Sequence, residues 1–594
     1  MYGYAYTAAP GGAARWRTVA PERTVLGVIH NVTSATRLLD LLAVFDGDLR
    51  IQTVFTCTHS SAFESGTAEF VTARGLPFLP WDEAIRQKFD LAIATSRGGE
   101  LQEISAPLIG APHGAGYNKT LSREPGAGSR EPGAGSREPG AGSREPGAGS
   151  REPGAFGLTA EWLVHEGEVI PSAIVLSHDE QRARLRAGCP EAVPVSHVIG
   201  DPCMDQLAAS ARFRDEYRAA LGVSPGQRLL LLTSTWGKTS LLGSAPDVLR
   251  RALAELPREE YRVLAAIHPN AWHGHGSWQV KSWLAPLIRA GLVVPDPETD
   301  DWKAALCAAD CFIGDFGSVS LYAAAAGVPG LLAATDRATV APGSPVEHLA
   351  RLLPRVSARR PLAGQLDAAV RRQPGDPELA ATARLVTSRP GEALARLRRL
   401  CYERLDLPEP PHPAHPRPVA LPAPPVPAPP GSDGPARFVQ ADVTDAGPGE
   451  PGAPALPEVL VRGYPAGLQG TVSAHLPDAH LVAGEREVDV RWVHTADILV
   501  AHTAPLRELL ERHPGCGLAV APGPSGGSEC RLLVRDGGAY TARWTASAWW
   551  TGPDTAASAL YACLTRYGTG WEGDVRVRAG ERLPAATLAL RRVV

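Results

Sequence analysis

Short apolar runs alternate with amphipathic stretches along the first part of the chain, and this pattern then restarts. The apolar runs predict strands at Val25–His30, Ile51–Thr56, Leu91–Thr95, Pro107–Ala111 and Ala173–Leu176, then at Leu229–Thr233, Arg262–Ile267, Leu292–Val294, Cys311–Gly314 and Gly330–Ala333. The stretches between them predict helices at Ser34–Phe45, Ala62–Arg74, Asp82–Phe89 and Asp179–Ala187, then at Pro246–Glu255, Gln279–Ala290, Trp302–Ala309 and Ser318–Ala326. Near-continuous apolar strands separated by helices are typical of parallel sheets covered on both faces.

Two such units in succession predict an α/β protein with two Rossmann-like lobes and a cleft between them. Ligands of these sheets bind beyond the carboxyl ends of the strands. We place an N-terminal tail at 1–23, the first lobe at 24–200 and the second lobe with trailing helices at 201–406. A Pro-rich linker at 407–436 and a small α+β domain at 437–594 complete the predicted order.

Two low-complexity segments interrupt this order. A seven-residue unit, Ser-Arg-Glu-Pro-Gly-Ala-Gly, begins at Ser122 and recurs through Ala155. Each copy contains Pro and Gly and balances one Arg against one Glu, which predicts a flexible, neutral tandem-repeat insert (122–155) in a surface loop of the first lobe. The stretch Leu407–Ala436 is rich in Pro and predicts a semi-rigid polyproline spacer.

The last segment mixes short strands with helices, and no function is assigned to it. Its predicted strands are Val459–Val461, Ile498–Val500, Arg531–Val534 and Asp574–Arg578, and its predicted helices are Leu506–Arg512 and Ala556–Leu564. We expect Trp544, Trp549 and Trp550 to pack in its core, and a binding surface formed by these residues is the alternative.

Composition narrows the function classes. The 594 residues carry a net charge of −4, so the chain lacks the excess of positive charge that is typical of nucleic-acid-binding proteins. The nine cysteines lack pairing spacings, no apolar run reaches membrane-spanning length, and the first residues lack the apolar block of a signal peptide. We therefore expect a cytoplasmic protein. The abundance of Ala, Arg, Gly and Pro favours a GC-rich bacterial gene.

An anion site is predicted where the buried run Cys311–Gly314 gives way to a helix. Asp315 opens a tight turn, and Gly317 and Ser318 begin the helix. A helix N-terminus after a glycine turn offers unpaired N–H groups and positive potential to a phosphate. An ordinary βα turn with no ligand is the alternative interpretation.

Histidines follow two predicted strands. His113 comes after a first-lobe strand and precedes glycines, so it is free to reach a substrate as general base, or it is a loop histidine without a role. His268 follows a second-lobe strand, with His273 and His275 close behind. Three histidines resemble metal ligands, but no carboxylate or cysteine completes the set, so a strand-end histidine facing phosphate is preferred and no metal is predicted.

Fragments of nucleotide-binding motifs are rejected. Gly237-Lys238-Thr239 resembles the end of a P-loop, but Leu232 stands where the first glycine is required and Trp236 is bulky in the turn. Asn118-Lys119-Thr120 lacks the Asp of a guanine-reading motif. We predict neither a GTPase nor a translation factor.

In combination, these segments resemble the CDP-glycerol glycerophosphotransferase family, the teichoic-acid-type polymerases and primases with a GT-B fold. The matching residues are His113-Gly114, Gly200 with Pro202 and Asp205, Thr235-Trp236, His268-Pro269, and Asp315 to Ser318. The resemblance covers about residues 24–335, and the same turns are also similar to those of UDP-N-acetylglucosamine 2-epimerases. Phe316 and Gly317 depart from the family pattern, as does Tyr322 where the family carries an acidic residue suited to ribose hydroxyls.

The resemblance implies a transferase that moves a glycerophosphate or glycosyl group from a CDP- or UDP-linked donor to a hydroxyl acceptor. The implied catalytic residues are His113, as general base, and His268, which would stabilise charge on the diphosphate. Phosphate or nucleotide would be bound by Asp315, Gly317, Ser318 and Thr235. Gly200, Asp205 and Asn31 would lie at the hinge and cleft. No cofactor is implied, and membrane contact would be peripheral at most. The alternative is a GT-B-like shell without turnover that binds or regulates; a sugar-nucleotide epimerase is a third hypothesis, which would need several cleft carboxylates.

Overall fold

The computed structural model describes residues 18–58, 66–120, 154–423, 434–445, 456–468, 476, 478–524 and 526–593. Residues 1–17 of the predicted tail, most of the tandem repeat and residues 424–433 of the Pro-rich stretch lie outside these ranges. No helix within the described ranges is long and apolar enough to cross a membrane.

The first lobe is built on a six-stranded parallel sheet with the order β2-β1-β3-β4-β7-β8. In chain order the strands are β1 Arg23–Ile29, β2 Ile51–Cys57, β3 Leu91–Ala94, β4 Leu108–Gly110, a separate hairpin of β5 Val164–His165 and β6 Glu168–Val169, β7 Ala173–Leu176 and β8 Ser196–Val198. Its helices are α1 Val32–Leu42, α2 Thr67–Ala73, α3 Trp81–Ala84, α4 Ala160–Leu163 and α5 Glu180–Gly188. Alternation along β1 sends Val25 and Ile29 into one apolar core and Leu26 and Val28 into the other.

The second lobe repeats this design with a four-stranded parallel sheet in the order β10-β9-β11-β12. The strands are β9 Arg228–Ser234, β10 Tyr261–Ile267, β11 Cys311–Gly314 and β12 Gly330–Leu332. The helices that join or cover the lobes are α6 Pro202–Ser210, α7 Arg214–Ala220, α8 Leu241–Ser244, α9 Asp247–Glu255, α10 Pro269–His275, α11 Ser277–Arg289, α12 Asp301–Ala308, α13 Ser318–Ala325, α14 Pro345–Leu352, α15 Leu362–Arg372, α16 Pro377–Arg384 and α17 Ala393–Leu405. Both sheets carry helices on both faces, as the pattern of apolar runs predicts.

Helix α17 departs from the predicted division of the chain. Its residues Leu397, Leu400 and Cys401 pack in the same apolar core as Val25 and Leu38 of the first lobe. The chain therefore crosses back to the first lobe after finishing the second, and the two lobes are joined at Gly200 and again before α17.

Local differences from the predicted elements have physical causes. The predicted strand Leu292–Val294 forms a single bridge, between Val293 and Leu264, because Pro295 has no N–H to continue the ladder. Strand β8 was not predicted, since its three residues include a polar Ser and a His at the sheet edge. Helix α3 is shorter than the predicted Asp82–Phe89.

The last segment forms a nine-stranded sheet that closes on itself in the order β13-β14-β20-β21-β19-β18-β17-β16-β15. The strands are β13 Arg437–Thr444, β14 Glu458–Pro465, β15 His480–Gly484, β16 Ile498–Val500, β17 Leu518–Gly523, β18 Gly526–Val534, β19 Gly538–Trp544, β20 Gly573–Ala579 and β21 Ala586–Val593. The helices are α18 Val490–Thr495, α19 Leu506–Arg512 and α20 Pro553–Tyr567. Trp544 and Trp550 are buried in its core, whereas Trp549 is partly exposed and donates its indole N–H to the Pro225 carbonyl.

This third domain is docked on the second lobe. Tyr464 and Leu468 lie in the same apolar core as Leu230 and Val263 of the second lobe. The Gly463 amide also donates to the Glu259 carboxylate at 2.8 Å. The described part of the Pro-rich stretch is anchored too, because the Val419 carbonyl accepts a hydrogen bond from the buried Tyr217 hydroxyl. Residues 407–423 are therefore attached to the lobes at Leu407, Ala414 and Val419, whereas most of the other residues in this range are exposed.

Candidate functional site

The carboxyl ends of the two parallel sheets face each other across a cleft with two arms. The arms have volumes of about 200 and 170 Å³. Six residues line both arms and mark the place where they meet: Thr33, His113, Gly114, Lys119, His268 and Ser318. A larger cavity of about 860 Å³ lies behind the joint of the lobes, but it is lined largely by Ala, Pro, Val and Leu. We place the candidate site in the cleft, where histidines, a lysine and a helix start converge.

His113 enters the cleft from the first lobe, on the loop that follows β4. Its ring Nδ1 lies 3.2 Å from the carbonyl oxygen of Thr95. A carbonyl only accepts hydrogen bonds, so Nδ1 carries the proton and Nε2 of the neutral ring keeps its lone pair. Burial, helped by the positive charge of Lys119, lowers the pKa of His113 to about 4. The ring is therefore neutral near pH 7 and available as a proton acceptor.

His268 enters from the second lobe, between β10 and α10. Its Nδ1 accepts a hydrogen bond from the Asn270 amide at 3.1 Å, which caps the helix. Nδ1 therefore lacks a proton in the neutral ring, and Nε2 carries it. Burial, Lys119 and His113 together hold the pKa of His268 well below its usual value. The two histidines thus present opposite tautomers: an acceptor Nε2 on His113 and a donor Nε2–H on His268.

The two lobes touch where α13 begins. The Ala115 amide of the first lobe donates to the Ser318 hydroxyl of the second at 3.3 Å. A Cβ at Gly114 would lie 2.6 Å from that hydroxyl oxygen, so a larger residue would displace the Ser318 hydroxyl. Gly317, Ser318 and Val319 line one arm and bring the positive end of the helix to the cleft.

Asp315 connects two segments of the second lobe through hydrogen bonds. Its Oδ2 accepts from the Thr235 amide (2.7 Å), the Thr235 hydroxyl (2.7 Å) and the Leu241 amide (3.0 Å). Its Oδ1 accepts from the Gly317 amide at 3.1 Å. Burial raises the pKa of Asp315, against the opposing effect of these hydrogen bonds. Asp315 and Thr235 thus hold the loop after β9 against the start of α13, and both line the cleft wall.

Close packing around Gly317 leaves no room for a side chain at this position. A Cβ added there would lie 2.5 Å from Thr235 Cγ2 and 3.2 Å from Asp315 Oδ1, although its backbone conformation suits any residue. We expect Gly317→Ala to lower the free energy of unfolding by about 1–3 kcal/mol, as overpacking usually does. Chemical denaturation measures it. The matched control is Gly364→Ala in α15, where a Cβ meets nothing within 4 Å and a small gain in stability is expected.

A strap from the first lobe closes one side of the cleft. The Ala341 amide donates to the Asn118 carbonyl at 2.8 Å, and the Thr120 amide donates to the Thr339 carbonyl at 2.9 Å. Between these bonds, the Lys119 ammonium lies 5.0 Å from the centre of the Trp236 ring. This geometry places a positive charge on the wall shared by both arms.

The arm of about 170 Å³ is bordered by a buried group of charged side chains that sequence reasoning missed. The Tyr322 hydroxyl donates to Asp201 Oδ2 at 3.0 Å, and Arg37 lies 3.4 Å from the same oxygen. Nearby, the Lys303 ammonium contacts Asp40 at 3.0 Å. Burial and the Asp201 charge hold the pKa of Tyr322 well above its usual value, so the residue is a neutral hydrogen-bond donor. The Tyr322 hydroxyl therefore donates its hydrogen bond to Asp201. Tyr322 is the residue that stands where the family pattern has a carboxylate.

The remaining predicted residues are found at the edge of the cleft or outside it. Asn31 lines one arm and also caps α1, its side chain accepting from the Ser34 amide at 2.9 Å. Gly200 lies at the joint of the lobes with φ +102°, close to the Arg389 carbonyl, which explains the glycine. Asp205 accepts from the Gly391 and Ala393 amides and so holds the returning chain to α6. Gly200 and Asp205 therefore belong to the joint and do not line the two arms.

The three clustered histidines do not converge. His268 caps α10, His273 lies 3.9 Å from Glu298, and His275 packs edge-on against Trp283. No group of three or more His, Cys, Asp or Glu side chains in the described part of the chain is arranged to hold a metal ion.

No protein-family model matches the chain, and no curated protein matches it. Among solved structures, the wall teichoic acid polymerase TagF is similar with a TM-score of 0.40 and 13% identity, over 65% of this chain and 90% of that chain. The Anabaena protein Alr3699/HepE, solved with UDP and glucose, has a TM-score of 0.35 and 11% identity over 65% of this chain and 99% of that one. A glycosyltransferase from Rickettsia africae ESF-5 has a TM-score of 0.36, 11% identity and the same 65% share of this chain, with 98% of its own. The polymerase family that the motifs predicted is thus among the similar structures.

Proposed function

We propose that this protein is a GT-B-type transferase that moves a glycerophosphate or glycosyl group from a nucleotide-diphospho donor, CDP- or UDP-linked, to a hydroxyl acceptor. One observation carries the proposal: two neutral histidines, one from each lobe, meet in the cleft with opposite tautomers. Displacement of a charged nucleotide by a hydroxyl requires a proton acceptor for the attacking oxygen and a hydrogen-bond donor for the leaving phosphate.

In this scheme His113 acts as general base. Its Nε2 takes the proton of the acceptor hydroxyl, and the freed oxygen attacks the donor. In glycerophosphate transfer the oxygen attacks phosphorus, the bond between the two phosphates breaks, and the nucleoside monophosphate leaves with the electron pair. In glycosyl transfer the oxygen attacks the anomeric carbon, and the nucleoside diphosphate leaves.

The leaving phosphate gains negative charge, and the two lobes together offer groups that stabilise it. His268 donates through Nε2–H, the Lys119 ammonium supplies a positive charge, and Ser318 stands at the start of α13. We propose no metal or other cofactor for this step, because these groups supply the stabilisation. The proposed partners are the nucleotide-linked donor and its acceptor, with no nucleic acid, and the proposed location is the cytoplasm.

Product analysis tests the proposal. The full chain is incubated with CDP-glycerol or UDP-glucose plus a polyol, and released nucleotide is separated by ion-exchange chromatography. Release of CMP identifies glycerophosphate transfer, and release of UDP identifies glycosyl transfer. His268→Ala should suppress the release, whereas the control His348→Ala, on α14 of the same lobe, should not.

Thermal shift with the same donors separates the remaining outcomes, because a ligand that binds only the folded state raises the melting temperature. Stabilisation without release of nucleotide would favour the binding or regulatory alternative, which Tyr322 and Gly317 support at the sequence level. Neither stabilisation nor release with any nucleotide-linked compound would overturn both hypotheses.

A further inference from the structure

The arm of about 200 Å³ contains a buried arginine without an acidic partner. Arg97 follows β3, lines this arm and is only 5% exposed. Within the described part of the chain its guanidinium contacts the carbonyl oxygens of Ser96 and Ala111, at 3.5 and 3.4 Å, and the Tyr117 hydroxyl at 3.1 Å, and it forms no ion pair. A buried charge without a counter-charge is costly, so buried charged groups are normally paired. Arg97 therefore indicates a ligand that brings a negative charge.

The structure around Arg97 holds its guanidinium in one place. A Cβ added at Gly110, the last residue of β4, would lie 2.5, 2.6 and 2.8 Å from Nη1, Cζ and Nη2, so the glycine leaves the space that the group occupies. The Tyr117 hydroxyl accepts from Nη2 and donates to the Val175 carbonyl at 2.8 Å, which fixes the orientation of the guanidinium. No described residue accepts a hydrogen bond from Nε. The guanidinium is thus positioned in advance and keeps an N–H for a ligand.

Neutral polar groups in the same arm also lack partners. The Ser96 hydroxyl and the Asn118 side-chain oxygen are buried, and neither forms a hydrogen bond with the residues that the structure describes. The Asn118 nitrogen donates to the Ala115 carbonyl at 2.7 Å, so the other side-chain atom is the oxygen, a hydrogen-bond acceptor. Hydroxyl groups on a ligand would supply the donor. At about 30 Å³ per water molecule, the arm has the space of about seven waters, which suits one sugar-sized unit.

The number of charges distinguishes a carboxylate from a phosphate. Arg97 supplies one positive charge within this arm, whereas Lys119 lies where the two arms meet and is assigned above to the leaving phosphate. The carboxylate of Asp336, at the second-lobe side of the arm, accepts from the Thr239 hydroxyl at 2.9 Å. One guanidinium balances one carboxylate, whose planar edge matches its N–H groups. A phosphate monoester carries about −1.5 to −2 charges and would leave negative charge unbalanced.

We propose that the hydroxyl acceptor of the transferase is a hydroxy acid of sugar size, whose carboxylate is bound by Arg97 while one of its hydroxyls faces His113. This inference rests on the proposed function and names the class of its acceptor. Strands β3 and β4 are neighbours in the sheet, so Arg97 and His113 follow adjacent strand ends. Arg97 also contacts the carbonyl of Ala111, two residues before His113. Arg97 therefore orients the acceptor, and His113 removes the proton from its hydroxyl.

Calorimetry on the full chain without any donor tests the acceptor class. The probes are D-glucuronate, D-glucose and D-glucose 6-phosphate, which share a ring and differ at carbon 6. We expect glucuronate to bind at least about tenfold more tightly than glucose, and more tightly than the phosphate ester. Arg97→Gln should abolish the preference for glucuronate. Arg97→Lys should keep only part of it, because lysine retains the charge but lacks the planar set of N–H groups.

Matched controls separate binding of the acceptor from general effects. Arg182→Gln removes a part-buried arginine of the same lobe that bonds to Ser196 outside the cleft, and it should leave glucuronate binding unchanged. Affinity for CDP should be the same in Arg97→Gln as in the wild type, and circular dichroism confirms that each variant is folded. The selectivity of the wild-type chain among the three probes is a test that needs no variant.

Four results would overturn the inference about the acceptor. They are glucuronate binding that is absent or no tighter than glucose binding, tighter binding of the phosphate ester, a glucuronate preference that survives Arg97→Gln, and a loss of CDP affinity in that variant, which would assign Arg97 to the donor. Selective binding of glucuronate without release of nucleotide from any donor would support the acid-binding role of Arg97 and contradict the transfer reaction alone.

Discussion

Replacement of His113 by asparagine is expected to reduce the rate of group transfer by about two to four orders of magnitude, the usual contribution of a positioned general base. Asparagine can keep a side-chain N–H for the Thr95 carbonyl, which His113 Nδ1 bonds at 3.2 Å, but it has no basic nitrogen at the position of Nε2. Donor binding should persist, because the phosphate-facing groups belong mainly to the second lobe. The measurement is nucleotide release together with donor affinity by calorimetry.

The pH profile of the wild-type protein gives a second test of the same residue. The neutral ring is the active form, and burial lowers the pKa of His113 to about 4. As pH falls through about 4 the ring takes up a proton, so kcat/KM should decline there and stay level from above that value towards neutrality. This acidic limb should disappear in the residual activity of His113→Asn.

Two observations would contradict the role of His113. One is full activity of His113→Asn; the other is equal loss in His165→Ala, which removes an exposed histidine of the first lobe away from the cleft. An acidic limb near the ordinary histidine pKa of 6.5 would indicate that the active ring is solvated, contrary to the buried position of His113.

Asp315→Ala is expected to lower the free energy of unfolding by about 3–5 kcal/mol, among the larger effects of a single substitution. The carboxylate accepts hydrogen bonds from the amides of Thr235, Leu241 and Gly317, and from the Thr235 hydroxyl. Truncation leaves buried donors without an acceptor, and each unsatisfied group costs about 1–3 kcal/mol. Denaturant unfolding of the full chain provides the measurement.

Asparagine at this position is a sharper test of the geometry. With its oxygen turned to Thr235 and Leu241, its amide group faces the Gly317 N–H, donor against donor. We expect Asp315→Asn to be destabilised, though less than the alanine variant. The control Asp247→Asn, at an exposed ion pair with Arg250, should stay within about 0.5 kcal/mol of the wild type. Equal stability of all three variants would show that the carboxylate does not hold the loop.

Much of the α/β fold could be predicted because its strands are apolar runs with clear ends. Cys311–Gly314 and Ala173–Leu176 match the predicted bounds, since buried parallel strands have no polar face to blur the pattern. Strand β8 was not predicted, because an edge strand of three residues has too few apolar positions to form a recognisable run. The closed sheet of the last domain was only partly predicted: strands such as β13, Arg437–Thr444, mix charged and apolar residues without a continuous run.

The cleft was easier to predict than its chemistry. His113 and His268 could be placed because a residue directly after a parallel strand must lie at the carboxyl edge of the sheet. Their tautomers could not, because these depend on the Thr95 carbonyl and the Asn270 amide. The contacts among Arg37, Asp201 and Tyr322 join residues more than a hundred positions apart, and no local pattern signals such a meeting.

The shared core under Tyr464 and Leu468 has a practical consequence for anyone who would cut this chain into pieces. The Pro-rich segment resembles a natural boundary, yet truncation there would uncover apolar side chains of α9 and α11, against which β14 and the turn after it pack. A two-lobe fragment would therefore be prone to aggregate, and the full chain should unfold the second lobe and the last domain in one cooperative step. The three parts are separate in sequence pattern, but the second and third share one apolar core and are expected to unfold together.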